Sequence, residues 1–215
     1  IATHVDDILG VLAKGALEHM RKILKKEFDI TEQLDDITYL GMQIKHDYNK
    51  TGYVTVHQCG MLDKLLKHRA QQVTKEYNTP SNADLPSNEE DSEPIENPKD
   101  FRSPVMALMY MARLTRPDIM HTVAVLATYS SKPTKQTMKK LDRLLGYLKK
   151  TRLVGVKFKK GDGILRVYAD ASHGLHVNGN GHGGIVITLG SAPIYTRSWK
   201  LKMITRSSSE SELVT

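Results

Sequence analysis

One stretch near the middle of the chain, TPSNADLPSNEEDSEPIENPKD (residues 79–100), sets the first limit on the fold. It carries seven acidic residues against one lysine, a charge of −6, with repeated prolines and no aromatic residue. Such a composition buries too little apolar surface to offset the entropy lost when a backbone is ordered. Residues 79–97 are therefore expected to form an acidic, flexible linker between two modules. The chain as a whole carries +7, so the rest of it carries +13. A remainder that basic fits a polyanionic partner, nucleic acid above all, and equally a merely solvated basic surface.

Size and residue usage limit the class further. At 215 residues, with 40% hydrophobic and 26% charged residues, the chain is long enough to bury a core and ordinary for a globular protein. A lone cysteine, Cys59, excludes an intramolecular disulfide and fits a reducing compartment. No apolar run approaches the roughly 20 residues that span a bilayer, so no membrane partner is expected. The sequence opens on Ile1 inside a strand-like run and closes inside a young helix, as a piece of a longer protein does.

Local periodicity places the elements. THVDDILGVLA reads as a β-hairpin with the aspartates at its turn. GALEHMRKILKKEF sets Leu17, Met20, Ile23, Leu24 and Phe28 at three- and four-residue steps, an amphipathic helix. ITYLGMQIKHD and GYVTVHQ alternate as paired strands, and CGMLDKLLKHR as a short basic helix. Past the acidic segment, helices are expected over 101–114, 117–130 and 134–150, with Pro117 and Pro133 where helices begin. VGVKFKK and ILRVYADAS then read as neighbouring strands, GHGGIVITLG as a third, APIYTRSWKLK as a fourth, and a last helix starts near Ser207. The fold class is α+β.

Four carboxylates stand out. Asp6 and Asp7 sit side by side in an apolar run, where like charges repel. They make either an ordinary hairpin turn or a pair held at a hairpin tip to grip a divalent metal. Asp170 ends the strand LRVYAD, and Glu210 stands with Glu212 in the first turns of the last helix. If that helix packs on the sheet, Asp170 and Glu210 approach as two-metal nucleases require. Ser207-x-x-Glu210 is also a capping box, and Asp170 also a strand-end turn residue. His176 and His182 in HVNGNGHGG, and His57 beside Cys59, lack a third ligand and read as polar surface.

The segments HVDDILG, TYLGMQIKHD, RLTRPDIMHTVAVLATYSSKPTKQTMKKLDRLLGYLKKT, YADASHG and SWKLKMITRSSSESELV, in this order, resemble the Pol polyprotein of copia-type LTR retrotransposons. The resemblance covers nearly the whole chain except the acidic segment. It implies a reverse-transcriptase palm and thumb-like remnant over 1–78, a helical connection over 98–152, and a partial RNase H-like mixed sheet with its first helix over 153–215. HVDD matches the polymerase motif Tyr-x-Asp-Asp, with His4 where the family has Tyr beside the primer terminus. By that match Asp6 and Asp7 carry the polymerase site, and Asp170 and Glu210 the RNase H site.

The implied chemistry is metal-assisted attack of a primer 3′ hydroxyl on a nucleotide, and hydrolysis of RNA in an RNA–DNA hybrid. The implied cofactor is Mg2+, or Mn2+ in its place. The implied partners are an RNA template, a DNA primer, the RNA–DNA hybrid and the remainder of the polyprotein, in a cytoplasmic particle or the nucleus. The family's other catalytic carboxylates fall outside these residues, so each site is expected to be partial and the isolated chain inactive. The competing expectation is a domesticated or decayed relative that binds nucleic acid or assembles a complex without catalysis. For binding, Lys135, Lys139, Arg143, Lys149 and Lys150 lie on or beside one stripe of the 134–150 helix, with Lys157, Lys159 and Lys160 beyond it.

Overall fold

The computed structural model describes residues 1–34, 36–82, 85 and 92–215. The chain opens with a hairpin of β1 (Ala2–His4) and β2 (Asp7–Leu9), followed by α1 (Lys14–Glu27). Strands β3 (Asp36–Tyr39), β4 (Met42–His46) and β5 (Tyr53–His57) come next, with the single turn α2 (Tyr48–Thr51) between the last two and α3 (Cys59–His68) after them. Helix α4 (Lys99–Leu114), a 3-10 turn (Pro117–Ile119) running into α5 (Met120–Thr128), and α6 (Lys135–Lys150) form the helical layer. Strands β6 (Val156–Lys159), β7 (Leu165–Ser172), β8 (His182–Leu189) and β9 (Ala192–Lys200) follow, then α7 (Ser208–Leu213). The architecture is α+β, with every strand pair antiparallel. Among the described residues, no helix is long and apolar enough to cross a membrane.

Local chemistry explains several boundaries. Thr134 caps α6: its hydroxyl accepts from the Thr137 backbone N–H at 3.2 Å, and its own N–H donates to the Thr137 hydroxyl at 2.9 Å. The β3–β4 hairpin turns on Leu40 and Gly41, both at positive φ (50° and 74°), which matches the twist of two-residue hairpins. Leucine rarely adopts that conformation. Here its carbonyl accepts from the Tyr110 hydroxyl at 2.8 Å, which ties the sheet to α4.

The core lies among the helices of the layer. Phe101, Val105, Leu108, Ile119, Val123, Leu126, Leu141, Leu144, Leu145 and Leu148 are all fully buried, on the faces their spacing sets. Arg116 is buried among them. Its guanidinium makes two bonds to Asp118 (2.9 and 2.7 Å) and two to Thr151 (3.1 and 2.7 Å), tying the start of the 3-10 turn to the end of α6. By contrast α1 forms as its period dictates but buries no residue, and Ile23 and Phe28 stay exposed.

Two expectations are corrected. Residues 154–160 and 164–172 are not neighbouring strands. β6 pairs with β5 in the sheet β3-β4-β5-β6, with Tyr53 opposite Lys159 and Val56 opposite Val156, while β7 starts a separate sheet β7-β8-β9. Gly155 permits the pairing: a Cβ there would lie 2.3 Å from the Val56 carbonyl oxygen. Nor is the acidic segment solvated throughout. Leu85 joins the core at 7% exposure, and the Ile95 N–H donates to the Pro133 carbonyl at 3.1 Å. One buried and one partly buried apolar residue thus contact the core, which a composition average hides. Residues 83, 84 and 86–91 of that segment, where the linker expectation also falls, lie outside the described residues.

Candidate functional site

The hairpin β1–β2 pairs His4 with Asp7, so Val5 and Asp6 alone make the turn and Asp7 opens the second strand. Val5 sits at φ 52° and is 93% exposed. A β-branched residue in that region is strained, and such strain clusters at functional sites. Asp6 and Asp7 are both exposed.

Asp170 lies on β7, opposite Gly184, with its side chain exposed. It lines a cavity of about 290 Å3 with His121, Tyr168, Thr196, Arg197 and Ser198. Helix α7 packs against β7 as expected. Glu210, in its first turn, is engaged locally: its carboxylate accepts from the Arg206 backbone N–H at 2.6 Å, and its own N–H donates to the Ser207 hydroxyl at 3.2 Å. The capping pattern thus reaches one residue further back than the capping box expects, to Arg206. Glu212 is exposed.

Among the described residues no group of three or more His, Cys, Asp or Glu side chains converges to hold a metal ion. Asp6 with Asp7, and Asp170 with a Glu210 already accepting a backbone bond, are donor sets smaller than a two-metal site requires. They do not by themselves fit resident magnesium or manganese.

The histidine reading is overturned. His176 and His182 are buried, at 5% and 4% exposure. His176 Nε2 lies 2.9 Å from His182 Nδ1, and His182 Nε2 lies 2.6 Å from the Ser198 hydroxyl. His121 of α5 meets His182 edge-on, with ring centroids 4.8 Å apart. Burial, and then the neighbouring charges, push His176 down to about 4 and His182 to about 3, and burial lowers His121. All three imidazoles are therefore neutral at pH 7; His176 and His182 are buried beside the junction of α5 with the β7–β9 sheet, and His121 lies at its exposed rim. A signal was available in GHGG: a Cβ on Gly181 would lie 2.7 Å from the Ser172 carbonyl oxygen, and one on Gly183 3.0 Å from Trp199, so this strand is built for close approach. His57 and Cys59 form no site either; the Cys59 thiol donates to the Arg152 carbonyl at 3.1 Å.

The basic stripe of α6 is divided. Lys135 is ion-paired with Glu93. Arg143 donates to the Thr79 hydroxyl at 3.0 Å and lies over the Tyr77 ring at 4.3 Å, and Lys150 donates to Asn78 at 2.5 Å. The segment 75–79 runs so close to α6 that a Cβ on Gly146 would stand 2.3 Å from the Lys75 carbonyl oxygen. Three of the five candidates therefore dock the chain's own residues. Lys139 and Lys149 stay exposed.

Together these features define an α+β chain whose carboxylates occupy a hairpin tip and a strand–helix edge. No family model matches the chain, and no solved structure matches it significantly. Known proteins do. It is 29% identical over 219 residues to the transposon Ty5-1 protein YCL074W of Saccharomyces cerevisiae, covering 100% of this chain and 70% of that one. It is 31% identical over 216 residues to the retrovirus-related Pol polyprotein from transposon RE1 of Arabidopsis thaliana, covering 97% of this chain and 14% of that polyprotein. About half of it, 52%, also matches Secreted RxLR effector protein 161 of Plasmopara viticola, at 32% identity over 114 residues and 80% of that protein. The homologues of this chain thus include retrotransposon Pol polyproteins, of which it spans a small part.

Proposed function

We propose that the chain is the part of a copia-type retrotransposon Pol polyprotein that joins reverse transcriptase to RNase H. Residues 1–78 are the palm and thumb-like end, 98–152 the connection, and 153–215 the start of the RNase H-like domain apart from β6, which completes the sheet of the first part, with the acidic 79–97 segment between the first two. The supporting observation is the placement of Asp170 on the exposed edge strand of an antiparallel sheet, with the helix bearing Glu210 packed on that same strand. In this reading Asp170 and Glu210 contribute to cleavage of RNA in an RNA–DNA hybrid, and Asp6 and Asp7 to nucleotide transfer onto a DNA primer along an RNA template. The remainder of the polyprotein completes each carboxylate set, and magnesium or manganese is the group those complete sets take. The match to a short effector favours a second reading, a non-catalytic binding or assembly module, for the same residues.

The test supplies the missing parts in trans. The isolated chain is expected to cleave no RNA–DNA hybrid. Adding the rest of a Pol polyprotein should restore cleavage with wild type and not with Asp170→Asn. Cleavage by the chain alone would sink the half-site argument, and equal cleavage with Asp170→Asn would remove Asp170 from the site. No restoration with any partner would favour the non-catalytic module.

A further inference from the structure

Besides Lys139 and Lys149 of α6, a group of exposed lysines lies on a sheet face away from that helix. In the sheet β3-β4-β5-β6, Lys45, Thr55 and Lys157 are direct neighbours across three strands, and Tyr53 and Lys159 make the next row on the same face. Lys45, Lys157 and Lys159 are exposed, and among the described residues no carboxylate forms an ion pair with them. Lys157 Nζ stands 4.8 Å from the Tyr53 ring centroid. On this face Asp36, on the edge strand opposite Lys45, is the carboxylate nearest these rows by register. The field is positive enough that, after burial, the charges of Arg152 and Lys45 help hold His57 below its usual value.

The same rows open into a cavity of about 580 Å3, walled by Tyr53, Lys157 and Lys159 on one side and by Pro117, Asp118 and Tyr147 on the other. Asp118 does not repel an anion there. Its carboxylate is bound by Arg116 and accepts from the Tyr147 hydroxyl at 2.7 Å. Cations at the rim with tyrosine rings and a proline inside make the pairing that single-stranded nucleic acid uses, phosphates on lysine and a base or sugar against the rings.

We propose that this cavity and its lysine rows bind single-stranded nucleic acid. Lys45, Lys157 and Lys159 take successive phosphates, and one base or ribose enters between Tyr53 and Tyr147. The inference rests on the proposed function for its class of partner, but it moves the contact from the α6 stripe to the β5–β6 face.

The experiment titrates the full 215-residue chain into a fluorescein-labelled single-stranded DNA oligomer, read by anisotropy across a salt series. Lys45→Gln/Lys157→Gln/Lys159→Gln should bind at least about tenfold more weakly at low salt. Its log–log salt slope should be shallower by about 2, since each phosphate contact on a single strand contributes roughly 0.7. Tyr53→Ala should weaken binding at least about fivefold with the slope retained, because stacking is insensitive to salt. Lys139→Gln/Lys149→Gln on α6 should bind as wild type does. If the loss follows the α6 pair, or if the sheet variant binds like wild type, the cavity assignment is overturned while the nucleic-acid reading stands. If wild type binds neither this strand nor an RNA–DNA hybrid, the reading itself fails and the inference with it.

Discussion

The helical layer α4–α6 and the β7–β9 sheet treat their apolar residues in opposite ways. In the layer, each helix has a partner on its apolar side, and the leucines of α6 meet Phe101, Val105 and Leu108 of α4 with no exposure. In the sheet, one face carries Tyr168, Gly184, Thr196 and Ser198 toward α5 and the histidine cluster. The other carries Leu165, Val167, Leu189 and Tyr195, with Val167 still 57% and Tyr195 46% exposed. Burial is a property of pairs of surfaces, and an apolar strand gains little from its own hydrophobicity until another surface covers it. The layer is thus a finished core, whereas the sheet leaves apolar side chains open on both faces, Tyr168 at 57% exposure as well as Val167.

Three measurements sharpen or break that contrast. Leu144→Ala opens a cavity in the finished core and should cost about 3–5 kcal/mol in urea unfolding. Val167→Ala on the open face should cost under about 1 kcal/mol. Equal costs would mean the outer sheet face is covered in solution. Next in size, Asp118→Asn strips the buried Arg116 guanidinium of its charged partner and should cost about 2 kcal/mol at pH 7. Burial alone would raise the Asp118 carboxyl, but the bonds from Arg116 and Tyr147 outweigh it and hold the group below its usual value. That stabilisation is therefore complete at neutral pH and fades as acid protonates the carboxylate, so wild type and variant should converge at low pH.

The junction of α5 with the β7–β9 sheet adds an effect that depends on pH. Folded His176 and His182 titrate near about 4 and about 3, below the ordinary 6.5, so between those values the unfolded chain binds more protons. Stability is full above pH 6.5 and falls as pH drops toward 4. Wild type should thus lose part of its urea midpoint between pH 6.5 and 5, before most carboxylates titrate. His176→Gln/His182→Gln should lose less over that window. An identical pH dependence in the two proteins would place these imidazoles in water.

Much of the local structure was legible in the chain. The leucine period of α6, the Ser and Thr caps, the alternation of β4, β5, β7 and β8, and the glycine turns all act within a few residues, where sterics and capping bonds are local. The positions of Asp6, Asp170 and Glu210 at a hairpin tip, on a strand and at a helix start were legible for the same reason, whereas the turn falls on Val5 and Asp6 and leaves Asp7 in the second strand. The partner of β6 was not. A strand's hydrogen bonds point sideways to whatever lies beside it, and Val156–Lys159 finds Tyr53–His57 about a hundred residues earlier in the chain.

Composition likewise reports a sum and never a location. The residues fix an excess of positive charge, yet folding engages Lys135, Arg143 and Lys150 with Glu93, Thr79 and Asn78 and leaves Lys45, Lys157 and Lys159 without an ion pair among the described residues, on a sheet face. The sequence also places two histidines among glycines in a loop-like stretch. Their burial against His121 and Ser198 was decided in three dimensions, because desolvation depends on what packs over a group and not on its neighbours in the chain.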